Sequence, residues 1–286
     1  MKQRMYVRPG VSLVEVILAL TLATVLGATA TSAFVTQSRF FDAQEKIEFA
    51  RGVSRSALQM IMSELRMVEQ GGGVVSVTTQ QITLRVPYSL GVVCGNTTQL
   101  TINRLPVDAL TLTNADFSGL AFRSRATGSY TYVENSSLKP LPNPAGTAVC
   151  TGAGFTVYND ANGADGETLQ GPLPAPMPEV GAPIFLYQIV TYEFRNSLSV
   201  PGRIGLWRRT ATGEDEELVA PFDPTAGFRF YVNDAAASES TVPVALHTIT
   251  GIELLLNGVS ERPDHDGSHR SVPLTTSVFF KNRQSQ

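Results

Sequence analysis

The first forty positions carry an apolar run unlike anything in the rest of the chain. Twenty residues without a charged side chain, positions 16–35, follow Glu15. At about 1.5 Å of rise per helical residue, such a run crosses a hydrocarbon layer of about 30 Å. Lys2, Arg4 and Arg8 precede it without an acidic residue among them. Because basic flanks stay on the cytoplasmic side, the pattern predicts one transmembrane helix with the rest of the chain outside the cytoplasm.

Helical periodicity continues beyond the apolar run. Apolar residues recur at three- and four-residue steps as far as Val68, while charged residues mostly occupy the other faces. Three glycines at positions 71–73 then end the pattern. The sequence therefore predicts one long helix over residues 11–70. Its polar half either forms a coiled-coil stalk or packs its apolar stripe onto the chain's own strands.

After the three glycines the period changes to two, which is typical of strands. No helical pattern of ten residues separates these segments, which argues against a parallel α/β sheet. The sequence predicts an α+β fold, with an antiparallel β domain over residues 71–286. The predicted strands are 74–79, 81–89, 98–105, 185–195, 204–209, 217–219, 227–232, 249–256 and 274–281.

Residues 134–183 contain eight prolines and predict a surface loop instead of a regular core element. Asp160, Asn162, Asp165 and Glu167 lie there in the string NDANGADGE. Acidic, glycine-containing loops of this kind bind Ca²⁺ through oxygen ligands, although the spacing departs by one residue from the common pattern. These residues are also ordinary turn formers, so a solvated turn is favoured and calcium is the alternative.

Composition narrows the possible functions. The 286 residues are 43% hydrophobic and 16% charged, with a formal net charge of −3, so no overall basic field attracts nucleic acid. Arg203, Arg208 and Arg209 are expected on the solvent side of strands.

Cys94 and Cys150 both follow the apolar run, in a compartment where disulfides persist, and we predict that they pair; two buried free thiols are the alternative.

The histidines do not predict a metal centre or an enzyme. His265 and His269 lie in the string PDHDGSH with Asp264 and Asp266. Four-residue spacing aligns two histidines only on a helix, and the neighbouring proline and glycine indicate a loop, so we expect a solvated hairpin tip. No phosphate-binding glycine motif, nucleophile elbow or His-Glu-x-x-His string is present, and no cofactor or enzymatic activity is predicted.

The start of the apolar run carries the most specific motif. A glycine, Gly10, ends the basic leader, Val11 follows, and Glu15 stands alone at the fifth place after the glycine. This arrangement resembles the processing site of type IV prepilins and type II secretion pseudopilins. The resemblance implies cleavage after Gly10 by a prepilin peptidase, N-methylation of Val11 where the family usually has Phe, and pairing of Glu15 with the amino-terminus of a neighbouring subunit.

Two other interpretations of this region remain. Ser12 and Glu15 match a capping box, in which both side chains satisfy amides at a helix start. The small residues at positions 28–33 also permit cleavage as an ordinary secretory signal. A carboxylate beside twenty uncharged residues at membrane depth is costly, however, and usually has a partner, which favours the assembly role for Glu15.

The order of the later strands extends the resemblance. Strands reading YEF, LWRR, FRFYV, IELLL and TTSVFFKNR are similar, in that order, to the C-terminal half of larger minor pilins and J-type minor pseudopilins. The resemblance implies a structural tip or initiation subunit of a pilus or pseudopilus. Its partners would be other pilin subunits, the prepilin peptidase, an inner-membrane platform and an assembly ATPase. It would lie in the inner membrane and then in the filament.

The filament system stays open between motility or adhesion, DNA uptake and secretion, because all three share this leader. Removing the leader leaves 19 basic against 25 acidic residues, a formal net charge near −6, so nucleic acid is not an expected partner. The rival hypothesis is a membrane-anchored extracytoplasmic binding domain with an uncleaved signal anchor.

Overall fold

A long N-terminal helix is followed by antiparallel strands, so the fold is α+β as the sequence predicts. The computed structural model describes residues 10–112, 115–124, 128–144, 148–155, 165–171, 174–175, 177–211, 213, 215–264 and 266–280. The helices are α1 (Leu13–Leu65), α2 (Pro106–Thr111) and α3 (Val149–Gly152). The first seven strands are β1 (Val74–Val77), β2 (Gln81–Asn96), β3 (Leu100–Arg104), β4 (Phe117–Arg123), β5 (Tyr130–Pro142), β6 (Glu167–Gln170) and β7 (Pro183–Asn196). The remaining strands are β8 (Ile204–Thr210), β9 (Asp215–Phe222), β10 (Gly227–Val232), β11 (Ile249–Leu255), β12 (Gly258–Val259), β13 (Ser271–Val272) and β14 (Thr275–Phe279).

The start of α1 is capped by the residue that the sequence indicates. The Oγ of Ser12 accepts a hydrogen bond from the Glu15 amide at 3.2 Å, which satisfies one of the free N–H groups of the first turn. The helix ends at Leu65, five residues before the predicted end at position 70. Successive turns over residues 66–73 replace the last predicted turn of helix, and the Gly73 amide closes them by donating to the Glu69 carbonyl at 3.0 Å.

The second half of α1 packs onto the chain's own strands. Its buried positions recur every three or four residues, which places them on one face of the helix. They are Lys46, Ala50, Val53, Ser54, Ala57, Ile61 and Leu65. Val53, Ala57, Ile61 and Leu65 join a core with residues from β1, β2, β7, β8, β9 and the separate three-stranded sheet β10-β11-β14. This core lies between the helix and the strands.

Six strands close into a ring. Each of β2, β3, β6, β5, β4 and β7 pairs antiparallel with the next, and β7 pairs back with β2 over eleven register positions from Gln81↔Glu193 to Val92↔Pro183. A second buried cluster fills its interior with side chains such as Leu120, Phe122 and Leu186. Because strand side chains alternate between faces, their neighbours Ala121, Phe185 and Tyr187 face outward from the ring, where Ala121 and Tyr187 are covered by other side chains.

The ring corrects the prediction that residues 134–183 form a surface loop. Strand β5 extends to Pro142, and α3 and β6 also lie in this region. Beyond Leu138, β5 pairs with β6 and no longer with β4, so among the described residues one edge of this stretch has no neighbouring strand. Proline lacks an N–H donor and is tolerated at such an edge, which explains how Pro140 and Pro142 fit in a strand.

Candidate assembly helix and its attachment to the strands

The first half of α1 projects away from the strands. Every residue from position 10 to position 41 is exposed, including large apolar side chains such as Leu13, Leu20 and Phe34. The helical part of this stretch is about 43 Å long at 1.5 Å per residue. Among the described residues, α1 alone is long and apolar enough to cross a membrane. Burial of these side chains, in lipid or against other helices, would be favourable because it removes apolar surface from water.

Glu15 is the single acidic residue in the exposed apolar half. It lies in the first turn of α1, where a carboxylate interacts favourably with the helix dipole. Its backbone amide is capped by Ser12, but no described residue forms an ion pair with its carboxylate. Gly10 and Val11 precede the helix and are exposed, so the peptide bond between them is accessible. Residues 1–9 lie outside the described residues.

A buried lysine makes the first attachment of α1 to the strands. The Nζ of Lys46 lies 2.6 Å from Asp42 on the same helix and 3.0 Å from Asp264 in the β12–β13 connection. It also donates to the Pro263 carbonyl at 3.0 Å. The hydrogen bonds to the two aspartates raise the pKa of Lys46, and its ammonium group lowers the pKa of Asp264. Arg270 completes the cluster at 2.5 Å from Asp264.

A close backbone approach makes the second attachment. The Gly258 amide on β12 donates to the Oγ of Ser54 at 3.0 Å. The Cβ of any other residue at position 258 would overlap the carbonyl oxygen of Ala50 and approach Ser54 Oγ to 2.5 Å. The glycine therefore lets the helix backbone lie directly on the strand.

A polar cluster makes the third attachment, at the end of α1. Glu64 accepts hydrogen bonds from the Tyr88 hydroxyl at 2.6 Å and the Tyr192 hydroxyl at 2.7 Å. Arg208 Nη2 lies 2.9 Å from Glu64 Oε1 and also donates to the Tyr88 hydroxyl at 2.7 Å. Tyr88 lies at the register shift between Pro87 and Ser89, and bulges of this kind redirect a side chain.

This cluster corrects the expectation for one of the three arginines. Arg208 is not a solvent-side residue, because 22% of its side chain is exposed and it pairs with the helix. Burial, and next the Glu64 carboxylate, raise the pKa of Tyr88 and of Tyr192. Both hydroxyls therefore stay protonated and donate to Glu64.

The cysteines form a disulfide between Cys94 on β2 and Cys150 on α3, with their Cα atoms 4.8 Å apart. Asp165 stabilises the α3 end of the disulfide, since its carboxylate accepts hydrogen bonds from the Cys150 amide at 3.0 Å and from the Thr151 hydroxyl at 3.1 Å. Its buried carboxylate thus serves the backbone of α3.

The weak calcium candidate is not assembled by the described residues. Asp160 and Asn162 lie outside them, and the Asp165 carboxylate is bound to α3. Glu167 makes a two-pronged ion pair with Arg104 on β3, its Oε1 2.6 Å from Nη2. Neither carboxylate is the solvated turn residue that the sequence suggests, because both are held by protein donors.

The histidine loop also has structural contacts. His265 lies outside the described residues. The Nδ1 of His269 lies 2.7 Å from the Ser260 carbonyl, and Asp266 accepts from the Ser268 hydroxyl at 2.6 Å. Asp264 pairs with Lys46, so this loop docks against α1 and is not simply a solvated tip. Among the described residues, no three His, Cys, Asp or Glu side chains are grouped as metal ligands.

Two sets of residues are not predicted by the sequence patterns. The helical pattern groups Glu64 only with the charged residues outside the apolar stripe, although its partners come from β2, β7 and β8. The second set lines a depression beside Glu69 and consists of Tyr130, Tyr132, Phe185 and Tyr187. The alternating aromatic residues of the strings YTY and FLY were a usable signal for the second set, because alternation places them on one face of a strand.

Comparison of the chain with protein-family models, with curated proteins and with solved structures found no match.

Proposed function

We propose that this chain is a minor pilin or pseudopilin, a structural tip or initiation subunit of a type IV pilus or a type II secretion pseudopilus. In this proposal a prepilin peptidase cuts after Gly10, Val11 becomes the N-methylated first residue, and the strand domain lies outside the cytoplasm. The subunit is held in the inner membrane by α1 before it enters the filament.

One observation carries the proposal: an exposed, apolar half-helix whose single carboxylate, Glu15, lies within its first turn. A carboxylate in apolar surroundings is costly unless it is paired. The free amino group of Val11 on a neighbouring subunit would neutralise it, and burial of the exposed apolar side chains would supply the association free energy. The resemblance of positions 10, 11 and 15 to the prepilin motif supports the same role.

The test is the mass and N-terminal sequence of the protein recovered from membranes of cells with and without their prepilin peptidase. The proposal predicts a peptidase-dependent start at Val11 carrying an N-methyl group. A start at Met1 in both strains would favour the anchored binding domain, and a start near position 30 would indicate ordinary secretion. Either result would overturn the proposal.

A second test separates an assembly role for Glu15 from simple anchoring. Glu15→Leu is expected to abolish or strongly impair incorporation into filaments, while the protein still reaches the membrane. Glu48→Leu is the matched control, because Glu48 is an exposed glutamate on the same helix beyond the apolar run. If both variants enter filaments equally well, Glu15 has no assembly role.

A further inference from the structure

An aromatic depression lies on the outer surface of the six-stranded ring, just beyond the end of α1. Cross-strand partners share a face, and the pairs Pro87↔Tyr187 and Ala121↔Phe185 bring its floor together. Its lining residues are Met67, Glu69, Arg85, Pro87, Ala121, Tyr130, Tyr132, Phe185 and Tyr187. It is shallow, with a cavity volume of about 40 Å³ below its rim. A ligand there would lie flat against the rings.

Two glycines give the rings their positions. The hydroxyl of Tyr187 occupies the place that a side chain at Gly119 would take, so this ring lies across β4. At Gly72, with φ of +152°, a Cβ would lie 2.5 Å from the ring of Tyr132. Tyr132 and Tyr187 meet edge to face with centroids 5.9 Å apart. The aromatic wall is therefore fixed before any ligand arrives, which lowers the entropic cost of binding.

The polar groups of the depression are few and specifically placed. Glu69 is largely buried, and its carboxylate accepts from the Tyr132 hydroxyl at 3.1 Å without an ion-pair partner among the described residues. Burial raises the pKa of Glu69 to about 7. Tyr130 is half-buried, its ring centroid is 5.9 Å from that of Phe185, and its hydroxyl has no hydrogen-bond partner within the described part of the chain.

Arg85 completes the wall and limits what the depression can bind. Its guanidinium carbon lies 5.0 Å from the centre of the Tyr132 ring, and its two terminal nitrogens donate to the Gly72 carbonyl and the Glu134 carboxylate. This cation already occupies an aromatic face that an ammonium ligand would need. Above pH about 7, where Glu69 is ionised, its carboxylate repels an anion. A neutral ligand with one apolar face and several hydroxyls is repelled neither by Arg85 nor by Glu69.

We propose that this depression binds the ring of a neutral carbohydrate, a pyranoside, whose C–H face lies on Tyr130 and Phe185 while its hydroxyls bond to Glu69 and the Tyr130 hydroxyl. Binding sites with aromatic walls and a few fixed polar groups suit such amphipathic rings. On β7, Phe185 and Tyr187 of the depression lie on the face opposite Val190 and Tyr192, which pack toward α1, because side chains alternate along a strand. It is therefore independent of the proposed filament role, and it would serve a surface-exposed subunit or an anchored binding domain equally.

The test uses saturation-transfer NMR on the full chain in a polyoxyethylene detergent, which carries neither sugar nor ammonium groups. The probes are the methyl β-glycosides of glucose, galactose and N-acetylglucosamine, with tetramethylammonium as the cation control. We expect transfer to the ring protons of at least one pyranoside, with a dissociation constant on the order of 1 mM, the range of a small open site.

Variants make the test specific to the depression. Tyr130→Ala is expected to weaken pyranoside binding about tenfold, and Glu69→Gln about fivefold, the loss of roughly one hydrogen bond. Phe279→Ala is the matched control, since Phe279 is an exposed aromatic residue on β14 outside the depression. Binding by each variant is measured at a temperature where melting curves show that the variant and the wild type are both folded.

Three results would overturn the carbohydrate site: no transfer from any of the pyranosides, equal binding by the wild type and Tyr130→Ala, or transfer from tetramethylammonium alone. None of them bears on processing after Gly10, so failure here is distinguishable from failure of the filament proposal.

Discussion

The guanidinium of Arg208 on β8 lies 2.9 Å from the carboxylate of Glu64, which is 144 positions earlier and next to the last residue of α1. Two tyrosine hydroxyls donate to the same carboxylate. One side chain of the helix is thus bound by three strands. This geometry fixes the rotation of α1 about its own axis, because only one face of the last turn can present Glu64 to all three partners.

We predict that Glu64→Ala lowers the free energy of unfolding by about 2–4 kcal/mol, because it leaves a half-buried guanidinium and two hydroxyls without their acceptor. Thermal unfolding of the full chain in detergent, followed by near-ultraviolet circular dichroism, measures the loss. Glu48→Ala is the control, since this exposed glutamate has no such cluster and should change stability by at most about 0.5 kcal/mol. Equal losses in the two variants would remove the special role of the Glu64 cluster.

Gly258→Ala is expected to destabilise the contact between α1 and β12 by about 1–3 kcal/mol, the usual cost of overpacking. The added methyl group would collide with the Ala50 carbonyl and displace Ser54 Oγ. Gly52→Ala is the matched control, because a Cβ there meets nothing within 4 Å and the residue lies inside the helix. That variant should be more stable than wild type by about 0.5–1 kcal/mol. Chemical denaturation should therefore show a lower free energy of unfolding for Gly258→Ala and a higher one for Gly52→Ala. An unchanged free energy of unfolding for Gly258→Ala would contradict the prediction.

The raised pKa of Glu69 predicts a pH-dependent stability. The folded state holds this proton up to pH about 7, whereas the unfolded chain releases it near 4.5. The folded state therefore binds more protons in this window, and its stability falls as the pH rises from 4.5 to 7. Glu69→Gln removes the ionisable carboxyl and with it this dependence of stability on pH.

We expect Glu69→Gln to raise the melting temperature at pH 8 by roughly 2–4 °C, the shift that about 1 kcal/mol produces in a domain of this size. Near pH 4.5, where the wild-type carboxyl is neutral, the two proteins should melt together. Melting curves at half-unit pH intervals measure the difference. A gap that stays constant from pH 4.5 to 8 would show that Glu69 does not titrate in this way.

The disulfide closes a loop of 56 residues between β2 and α3. Replacing both cysteines in Cys94→Ser/Cys150→Ser is expected to cost about 4 kcal/mol in the chain-entropy account of cross-links. Melting of the oxidised wild type, the reduced wild type and the double variant provides the comparison. The two forms without the bond should melt at similar temperatures, well below the oxidised protein. A reduced form as stable as the oxidised one would indicate that the bond restrains nothing.

Hydrophobic periodicity predicts the helices and strands that are determined by their own stretch of sequence. The apolar run and its continuation predict α1, and alternation over 185–195 and 227–232 predicts β7 and β10 close to their observed bounds. The sequence does not predict strand β5, because Pro140 and Pro142 argue against a regular strand. These prolines fit in the strand because β5 pairs only with β6 beyond Leu138. Closure of the six-stranded ring depends on β2 meeting β7 nearly a hundred residues later, which no local pattern encodes.

Part of the candidate site can be predicted from one stretch of sequence, and part forms only in the folded protein. Gly10, Val11 and Glu15 lie in one short stretch, so their motif can be read directly. The attachments of α1 cannot, since Lys46 finds Asp264, and Glu64 finds Arg208, only after the strands have assembled. The aromatic depression likewise needs β5 and β7 on either side of β4 before its rings meet.

The three attachments along α1 have a mechanical consequence. They extend from Lys46 to Glu64, about 27 Å at the helical rise, and all join the same side of the helix to the strands. A tensile load applied along the helix axis would act on them in parallel, as shear, and would not open them one after another from an end. A force transmitted through the exposed half-helix would therefore reach the strand domain without first detaching it.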